Sequence, residues 1–188
     1  WAEVPRGDAA DADRAVSAAF KAYTSGDWPN VGATERGALM RKLGDLIAAN
    51  SQKLAAIEVQ DNGKLMAEMG AQLGYIPQWY YYFGGLADKI EGAVLPIDKA
   101  DHFTYTSFEP LGVVGMIIPW NSPLLLVAWK LAPALAAGNT VVIKPSEYTS
   151  ASVLEFIKLV EESGFPKGVV NVVTGFGKEA GEPLVTHP

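Results

Sequence analysis

The hydrophobic pattern changes once along the chain, from helical spacing in the first part to short apolar runs in the second. In the first part, apolar residues recur every three or four positions, as along one face of an α-helix. Helices are predicted from Asp11 and from Thr34. A further helix is predicted to begin at Ser51 as its N-cap and to stop at 61–63.

An aromatic-rich segment from about Met66 to Lys89 is also predicted to be helical. Pro77 is expected to kink this helix, because proline removes a backbone donor and clashes with the preceding turn. The aromatic run at 79–83 fits core or interface packing better than a ligand cage.

Residues 103–108 alternate in character and predict an extended strand with both faces partly covered, as in a β-hairpin arm. A free strand edge exposes unpaired backbone groups. Pairing with another chain or with a distant segment is therefore expected.

The second part contains three apolar runs, at 113–118, 140–143 and 169–173, each followed by polar residues. Near-continuous apolar runs are typical of strands buried on both faces of a parallel sheet. Helical segments at 123–137 and 150–163 separate them. The predicted fold class is α/β, a parallel β-α-β-α-β sheet preceded by helices and carrying a β-hairpin arm.

Composition excludes several function classes. The formal net charge is -6 and the 15 basic residues are scattered, which argues against nucleic-acid binding. With 0 cysteines, these residues supply no disulfide, thiolate metal site or cysteine nucleophile. No apolar run reaches the ~18 residues of a membrane span, and the N-terminus lacks a signal-peptide pattern. A cytoplasmic chain with a small-molecule or protein partner is expected.

Polar groups follow each of the three predicted strands. Asn121 comes after the first strand, Lys144 and Glu147 after the second, and the glycine turn at 174–177 after the third. Because the carboxyl ends of parallel strands share one edge, these groups are expected to meet where open α/β sheets bind ligands.

Each group also has a simpler structural interpretation. Asn121 could be the N-cap of the helix beginning at Pro123, which is the favoured interpretation of this residue taken alone. Lys144 could mark the point where the strand meets water, and Glu147 could belong to the first turn of the next helix. The glycines could form only a tight turn.

The glycines give weak evidence by themselves. Gly175, Gly177 and Gly181 are spaced G-x-G-x-x-x-G, one residue longer than the usual dinucleotide fingerprint. The convergence of a carboxylate, an ammonium, an amide and a glycine turn is stronger evidence. A helix N-terminus can hold phosphate, and Lys and Glu can bind ribose hydroxyls, so an adenine dinucleotide is the expected ligand.

Two long motifs carry a family resemblance. The run 109–121 reads EPLGVVGMIIPWN and the run 129–147 reads WKLAPALAAGNTVVIKPSE. Together with DNGK at 61–64, GFP at 164–166 and NVVTGFG at 171–177, they resemble the aldehyde dehydrogenase superfamily. The resemblance covers nearly the whole chain.

The resemblance implies a Rossmann-like fold and roles for individual residues. Asn121 looks like the amide donor of the oxyanion hole, which stabilises negative charge on the aldehyde oxygen. The implied substrate channel contains Ser122, Leu126 and Trp129, and no metal is expected. The implied cofactor-binding residues are Ile118, Pro119, Trp120, Lys144, Pro145, Ser146, Glu147, Gly177, Lys178 and Gly181.

NAD is the expected cofactor, because a carboxylate at Glu147 favours ribose hydroxyls and repels a 2′-phosphate. Lys144 and Lys178 keep NADP possible. The implied division of the chain is a helical part of the cofactor-binding domain at 1–101, an oligomerisation-arm strand at 102–110 and the beginning of the NAD-binding sheet at 111–188. A homodimer or homotetramer is expected.

The family mechanism uses a cysteine thiolate and a glutamate base, and both lie downstream of the glycine turn in the family. The chain is therefore expected to be an N-terminal piece that cannot oxidise aldehydes alone. Two alternatives stay open at this point: a non-catalytic structural or oligomerising module, and a related reductase or CoA-acylating relative.

Overall fold

The computed structural model describes all 188 residues. The helices and strands are α1 Ala9–Ser25, α2 Ala33–Asn62, α3 Met66–Tyr75, α4 Pro77–Leu86, β1 Val94–Leu95, β2 Thr104–Tyr105, β3 Val113–Ile118, α5 Pro123–Ala136, β4 Thr140–Pro145, α6 Ala151–Ser163, β5 Val170–Val172 and α7 Glu182–Val185. A short 3-10 helix at Trp28–Asn30 and one turn of π-helix at Gly177–Gly181 complete the chain.

The predicted parallel β-α-β-α-β sheet is confirmed, and its strand order is β3-β4-β5, with α5 and α6 as the crossovers. Every residue of the central strand β4 is buried, including Lys144 and Pro145 at its end. The prediction that the first strand is buried on both faces is wrong, since Gly115 and Ile117 of β3 are exposed. Strand β3 has a sheet neighbour on one side only, so its burial is incomplete.

Side chains of β4 alternate between two apolar layers, as a strand requires. Val141 and Ile143 join the large core formed with α2, α5 and α6. Val142 points to the opposite face, where it packs with Ala19 of α1 and Leu184 of α7. The sheet is therefore covered on both faces, which explains why its central strand is almost purely apolar.

Helix α2 is continuous where the sequence predicted a new start at Ser51. Leu54 and Ala55 are fully buried and continue the apolar stripe of the preceding turns, so packing favours an unbroken helix over a cap at Ser51. The predicted stop is confirmed at Gly63, whose φ of 71° gives a left-handed cap. None of the helices combines the length and apolarity that a bilayer span requires.

The aromatic segment was expected to be one helix with a kink at Pro77, but the structure divides it there into two helices, α3 and α4, the second of which ends at Leu86. Tyr80 is fully buried and its ring lies 6.4 Å from that of Phe156, in agreement with a packing role. Tyr82 differs, because 62% of it is exposed.

The predicted strand at 103–108 is shorter than expected. Only Thr104 and Tyr105 form β2, which pairs antiparallel with Val94 and Leu95 of β1. This two-stranded hairpin projects with most of its residues exposed, rather than with both faces partly covered.

Helices α2 and α4 cross at two glycines. A Cβ added to Gly37 would lie 2.3 Å from the carbonyl oxygen of Gly84. We therefore expect Gly37→Ala to lower the free energy of unfolding by about 2–3 kcal/mol through overpacking. The matched control is Gly70→Ala in α3, where an added Cβ meets nothing within 4 Å. This control should raise the free energy of unfolding by about 0.5–1 kcal/mol. Urea unfolding of both variants tests whether the two substitutions change the free energy of unfolding in opposite directions.

Candidate functional site

Three loops meet at the carboxyl edge of the parallel sheet. Ile118 and Pro145 are register partners on β3 and β4, so the loop containing Asn121 begins beside the loop containing Glu147. Val173 follows β5 and donates its backbone N–H to the carbonyl of Ile143 at 2.9 Å, which aligns the third loop with the second. The sheet therefore brings the three predicted groups to one edge.

Lys144 is buried, which contradicts the interpretation that it marks the point where the strand meets water. Its Nζ donates to the Glu147 carboxylate at 3.4 Å, and no other hydrogen bond is formed by this ammonium. A Cβ added to Gly181 would lie 3.8 Å from Cε of Lys144. The ammonium thus lies between Glu147 and the glycine turn, with donors left over for a ligand.

The glycine turn has its own geometry. Gly175 has a φ of 138°. The carbonyl of Phe176 accepts from the backbone N–H groups of Glu179, Ala180 and Gly181, and the bond from Gly181 is the one that gives a π-helical turn. The turn begins at Gly177 and leads directly into α7. A Cβ added to Gly177 would meet nothing within 4 Å, so this face is open.

The N-terminal segment borders the glycine turn. The Thr174 hydroxyl donates to the carbonyl of Pro5 at 2.6 Å, and the Gly7 N–H donates to the carbonyl of Thr174 at 3.0 Å. Arg6 forms an ion pair with Glu179 and lies 4.8 Å from the centre of the Phe176 ring. The N-terminal segment therefore packs against the glycine turn and stabilises it.

Asn121 does not cap α5, so the simpler interpretation of this residue is wrong. Ser122 is the N-cap residue and makes no side-chain cap bond. The Leu124 N–H instead donates to Oε1 of Glu58 at 2.7 Å. Asn121 is exposed and its amide makes no hydrogen bond within the chain. A donor that has no structural task is free to bind a ligand.

The three predicted channel residues lie along one side of α5. Ser122 is buried and its hydroxyl accepts from Nζ of Lys64 at 3.2 Å. Leu126 is partly buried against the core, whereas Trp129 is 47% exposed. The Trp129 ring centre lies 5.8 Å from that of Trp79, so an aromatic pair links α5 to α4.

The remaining predicted cofactor residues differ in exposure. Ile118 and Pro145 are buried, and Ser146 is half-buried, with its hydroxyl accepting from the Tyr148 N–H at 3.3 Å. The exposed members are Pro119, Trp120, Gly177 and Lys178.

Glu58 is the residue that sequence reasoning missed. It is 1% exposed, and Oε1 accepts from both Leu124 and the Ser152 hydroxyl, while Oε2 has no partner. Burial raises its pKa to about 7, opposed by the bond from Leu124 and by the charge of Lys64. The available signal was a carboxylate on the buried stripe of a helix, four residues after Leu54.

A pH dependence of stability follows from Glu58. Its pKa is near 7 in the folded state against 4.5 for the ordinary side chain, so the folded state retains a proton that the unfolded state releases. The free energy of unfolding should therefore fall as pH rises from 4.5 to 7, by about 3 kcal/mol from this group.

Glu58→Gln removes that dependence and should raise the free energy of unfolding at about pH 8, with little effect near pH 4.5. Urea unfolding at both pH values checks the difference. The control is Glu161→Gln, which changes an exposed carboxylate on α6. Equal behaviour of the two variants at both pH values would contradict the assignment to Glu58.

Comparison with known proteins places these features in a family. The sequence pattern of the aldehyde dehydrogenase family matches residues 1–188. The chain is 49% identical over 188 residues to the (Z)-2-((N-methylformamido)methylene)-5-hydroxybutyrolactone dehydrogenase of Acinetobacter baylyi, covering 100% of this chain and 38% of that protein.

Solved structures give the same result. The betaine aldehyde dehydrogenase of Staphylococcus aureus in complex with NAD+ aligns with a TM-score of 0.95 at 41% identity, over 98% of this chain and 37% of that chain. The NAD+ complex of an aldehyde dehydrogenase from Bacillus cereus aligns with a TM-score of 0.93 at 45% identity, over 97% and 37%. The chain thus spans well under half the length of these relatives, and it has the same Rossmann-like fold as the part to which it aligns. It belongs to the aldehyde dehydrogenase family.

Proposed function

We propose that the complete protein oxidises an aldehyde to a carboxylic acid with NAD, and that residues 1–188 bind the cofactor and supply the oxyanion donor. The observation that carries this proposal is the meeting of Asn121, the Lys144–Glu147 pair and the Gly177–Gly181 turn at one sheet edge. Family membership supports the reaction class. NAD+ complexes of relatives support the cofactor.

The residues present fit an adenine dinucleotide. Lys144 has unused donors and Glu147 has unused acceptor capacity, which together suit a pair of ribose hydroxyls. The open face at Gly177 leaves room for the cofactor backbone beside the π-helical turn. Bound NAD supplies a hydride acceptor, and the residues of this chain bind and orient it.

Asn121 has the role of an electrostatic donor in this proposal. Its side-chain N–H groups are exposed at the start of α5 and have no competing acceptor in the chain. An amide fixed beside the reacting carbonyl stabilises the oxygen most strongly when negative charge develops on it. Ser122, Leu126 and Trp129 are proposed to line the approach of the aldehyde.

The hairpin of β1 and β2 is proposed to be an oligomerisation arm. Val94, Phe103 and Tyr105 are each more than half exposed, and its strands present free edges. We therefore propose a homodimer or homotetramer, with the chain divided at residues 101 and 110 as the family resemblance implies. A cytoplasmic location is part of the same proposal.

The test is a panel of aldehydes incubated with the complete protein and NAD or NADP, with and without CoA. The expected result is NADH formed in equal amount to the carboxylic acid, without a need for CoA. Formation of acyl-CoA would instead indicate a CoA-acylating relative. No NADH with any aldehyde would indicate a structural module and contradict the proposal.

Residues 1–188 alone are expected to be inactive with aldehydes. The chain contains 0 cysteines, and the proposed chemistry requires a thiolate nucleophile. The measurement is NADH formation by the homogeneous 188-residue chain, with the complete protein as the positive control. Detectable turnover by the short chain would contradict this expectation.

A further inference from the structure

One turn of α2 contacts the start of both helices that leave the sheet. Glu58 accepts from the backbone N–H of Leu124 in α5 at 2.7 Å and from the hydroxyl of Ser152 in α6 at 3.4 Å. One turn later, Asp61 accepts from the backbone N–H of Ala151 at 3.0 Å. Two carboxylates on one helix thus fix the N-termini of α5 and α6, each of which follows a ligand-facing loop.

The loop containing Asn121 depends on Glu58 for its anchorage. Pro123 has no N–H, and Ser122 provides no side-chain cap, so Leu124 is the first residue of α5 that presents an amide donor. Glu58 is the side chain that binds that donor. Asn121 itself makes no hydrogen bond, so its position is set by the backbone on either side of it.

Lys64 adds a second anchor on the same loop. Its Nζ donates to the Ser122 hydroxyl at 3.2 Å, one residue after Asn121. The residues that follow Asn121 are therefore held by two side chains from the end of α2 and the residues just beyond it. Both anchors come from far away in sequence, with separations of 66 and 58 residues.

We propose that Glu58 is a positioning residue that fixes Asn121 for oxyanion stabilisation. This inference rests on the proposed function, because it needs Asn121 to act as the donor. Glu58 does not touch the substrate in this account. It holds the first amide of α5, and the backbone transmits that restraint to the Asn121 side chain.

The reach of the acceptor should matter more than its charge. A glutamine keeps a carbonyl oxygen in the place of Oε1 and puts its amide where Oε2 has no partner. An aspartate keeps the carboxyl group but is one methylene shorter, so the bond to Leu124 is expected to be lost. Glu58→Gln and Glu58→Asp are therefore opposite tests, and they remain informative even where Glu58→Ala does not fold.

The experiment compares kcat and the NAD dissociation constant in the complete protein for the wild type and for Glu58→Ala, Glu58→Asp, Glu58→Gln and Asp61→Ala. Glu58→Ala and Glu58→Asp should lower kcat on the order of 10- to 100-fold, because the Asn121 amide would no longer be aligned with the aldehyde oxygen. Glu58→Gln should restore kcat to within about 3-fold of the wild type. Asp61→Ala, beside the loop of Glu147, should weaken NAD binding more than it lowers kcat.

A double-mutant cycle with Asn121→Ala separates this inference from the proposed function. If Glu58 acts through Asn121, Glu58→Asp should have little further effect on kcat in the Asn121→Ala background. A normal kcat for Glu58→Asp alongside a reduced kcat for Asn121→Ala overturns only the positioning role. Fully additive effects of the two substitutions also overturn it. An Asn121→Ala variant as active as the wild type, or an inactive wild type, overturns both.

Discussion

Asn121→Ala in the complete protein is expected to lower kcat by about 10²- to 10³-fold, the usual cost of removing one oxyanion donor. The NAD dissociation constant should change little, because the amide acts on the aldehyde oxygen as charge develops. Steady-state kinetics with an accepted aldehyde, combined with an NAD titration, measures both quantities.

The same substitution should leave the free energy of unfolding unchanged, which distinguishes a catalytic amide donor from a helix N-cap. Loss of an N-cap costs about 1 kcal/mol, whereas Asn121 makes no hydrogen bond within the chain. Asn121→Asp is the matched control, since it keeps the shape and removes the donor, and it should be as inactive as Asn121→Ala. A destabilised variant with normal kcat would favour the cap and contradict the catalytic role.

Glu147→Ala is expected to raise the NAD dissociation constant by about 10- to 100-fold, the range for losing a hydrogen bond to a charged group. Binding of NADP should weaken much less or improve, because the carboxylate that repels the 2′-phosphate is gone while Lys144 stays. Titration of both cofactors against the complete protein measures the change in preference.

Glu161→Ala is the control for this prediction. Glu161 is an exposed carboxylate on α6, the helix that follows the Glu147 loop. It should alter neither cofactor's dissociation constant. An equal loss of NAD and NADP affinity in Glu147→Ala would contradict a direct contact with the ribose.

Much of the fold could be predicted from local patterns. The three parallel strands are marked by apolar runs, and the break before Pro77 and the stop at Gly63 follow from backbone chemistry. Ser51 is a good cap residue by type, but it lies inside α2, where burial of Leu54 and Ala55 favours a continuous helix. That burial depends on partners distant in sequence, which local propensity does not contain.

The residues of the candidate site could be predicted from the sequence, but the side chains that hold their loops in place could not. Asn121, Lys144 and Glu147 could be placed at one edge because parallel strands end together. The partner of the α5 N-terminus could not be predicted from local patterns, because Glu58 lies 66 residues before Leu124. For the same reason the cap interpretation of Asn121 was reasonable locally and wrong in three dimensions. The burial of Lys144 likewise follows from the packing around β4.

A crystal structure of the complete protein with bound NAD would show directly whether this sheet edge holds the cofactor. We expect adenosine-ribose hydroxyls within hydrogen-bond distance of Lys144 and Glu147, the cofactor backbone against the Gly177–Gly181 turn, and an Asn121 amide directed at the aldehyde site. NAD bound elsewhere, or an Asn121 amide turned onto the backbone of α5, would contradict this expectation.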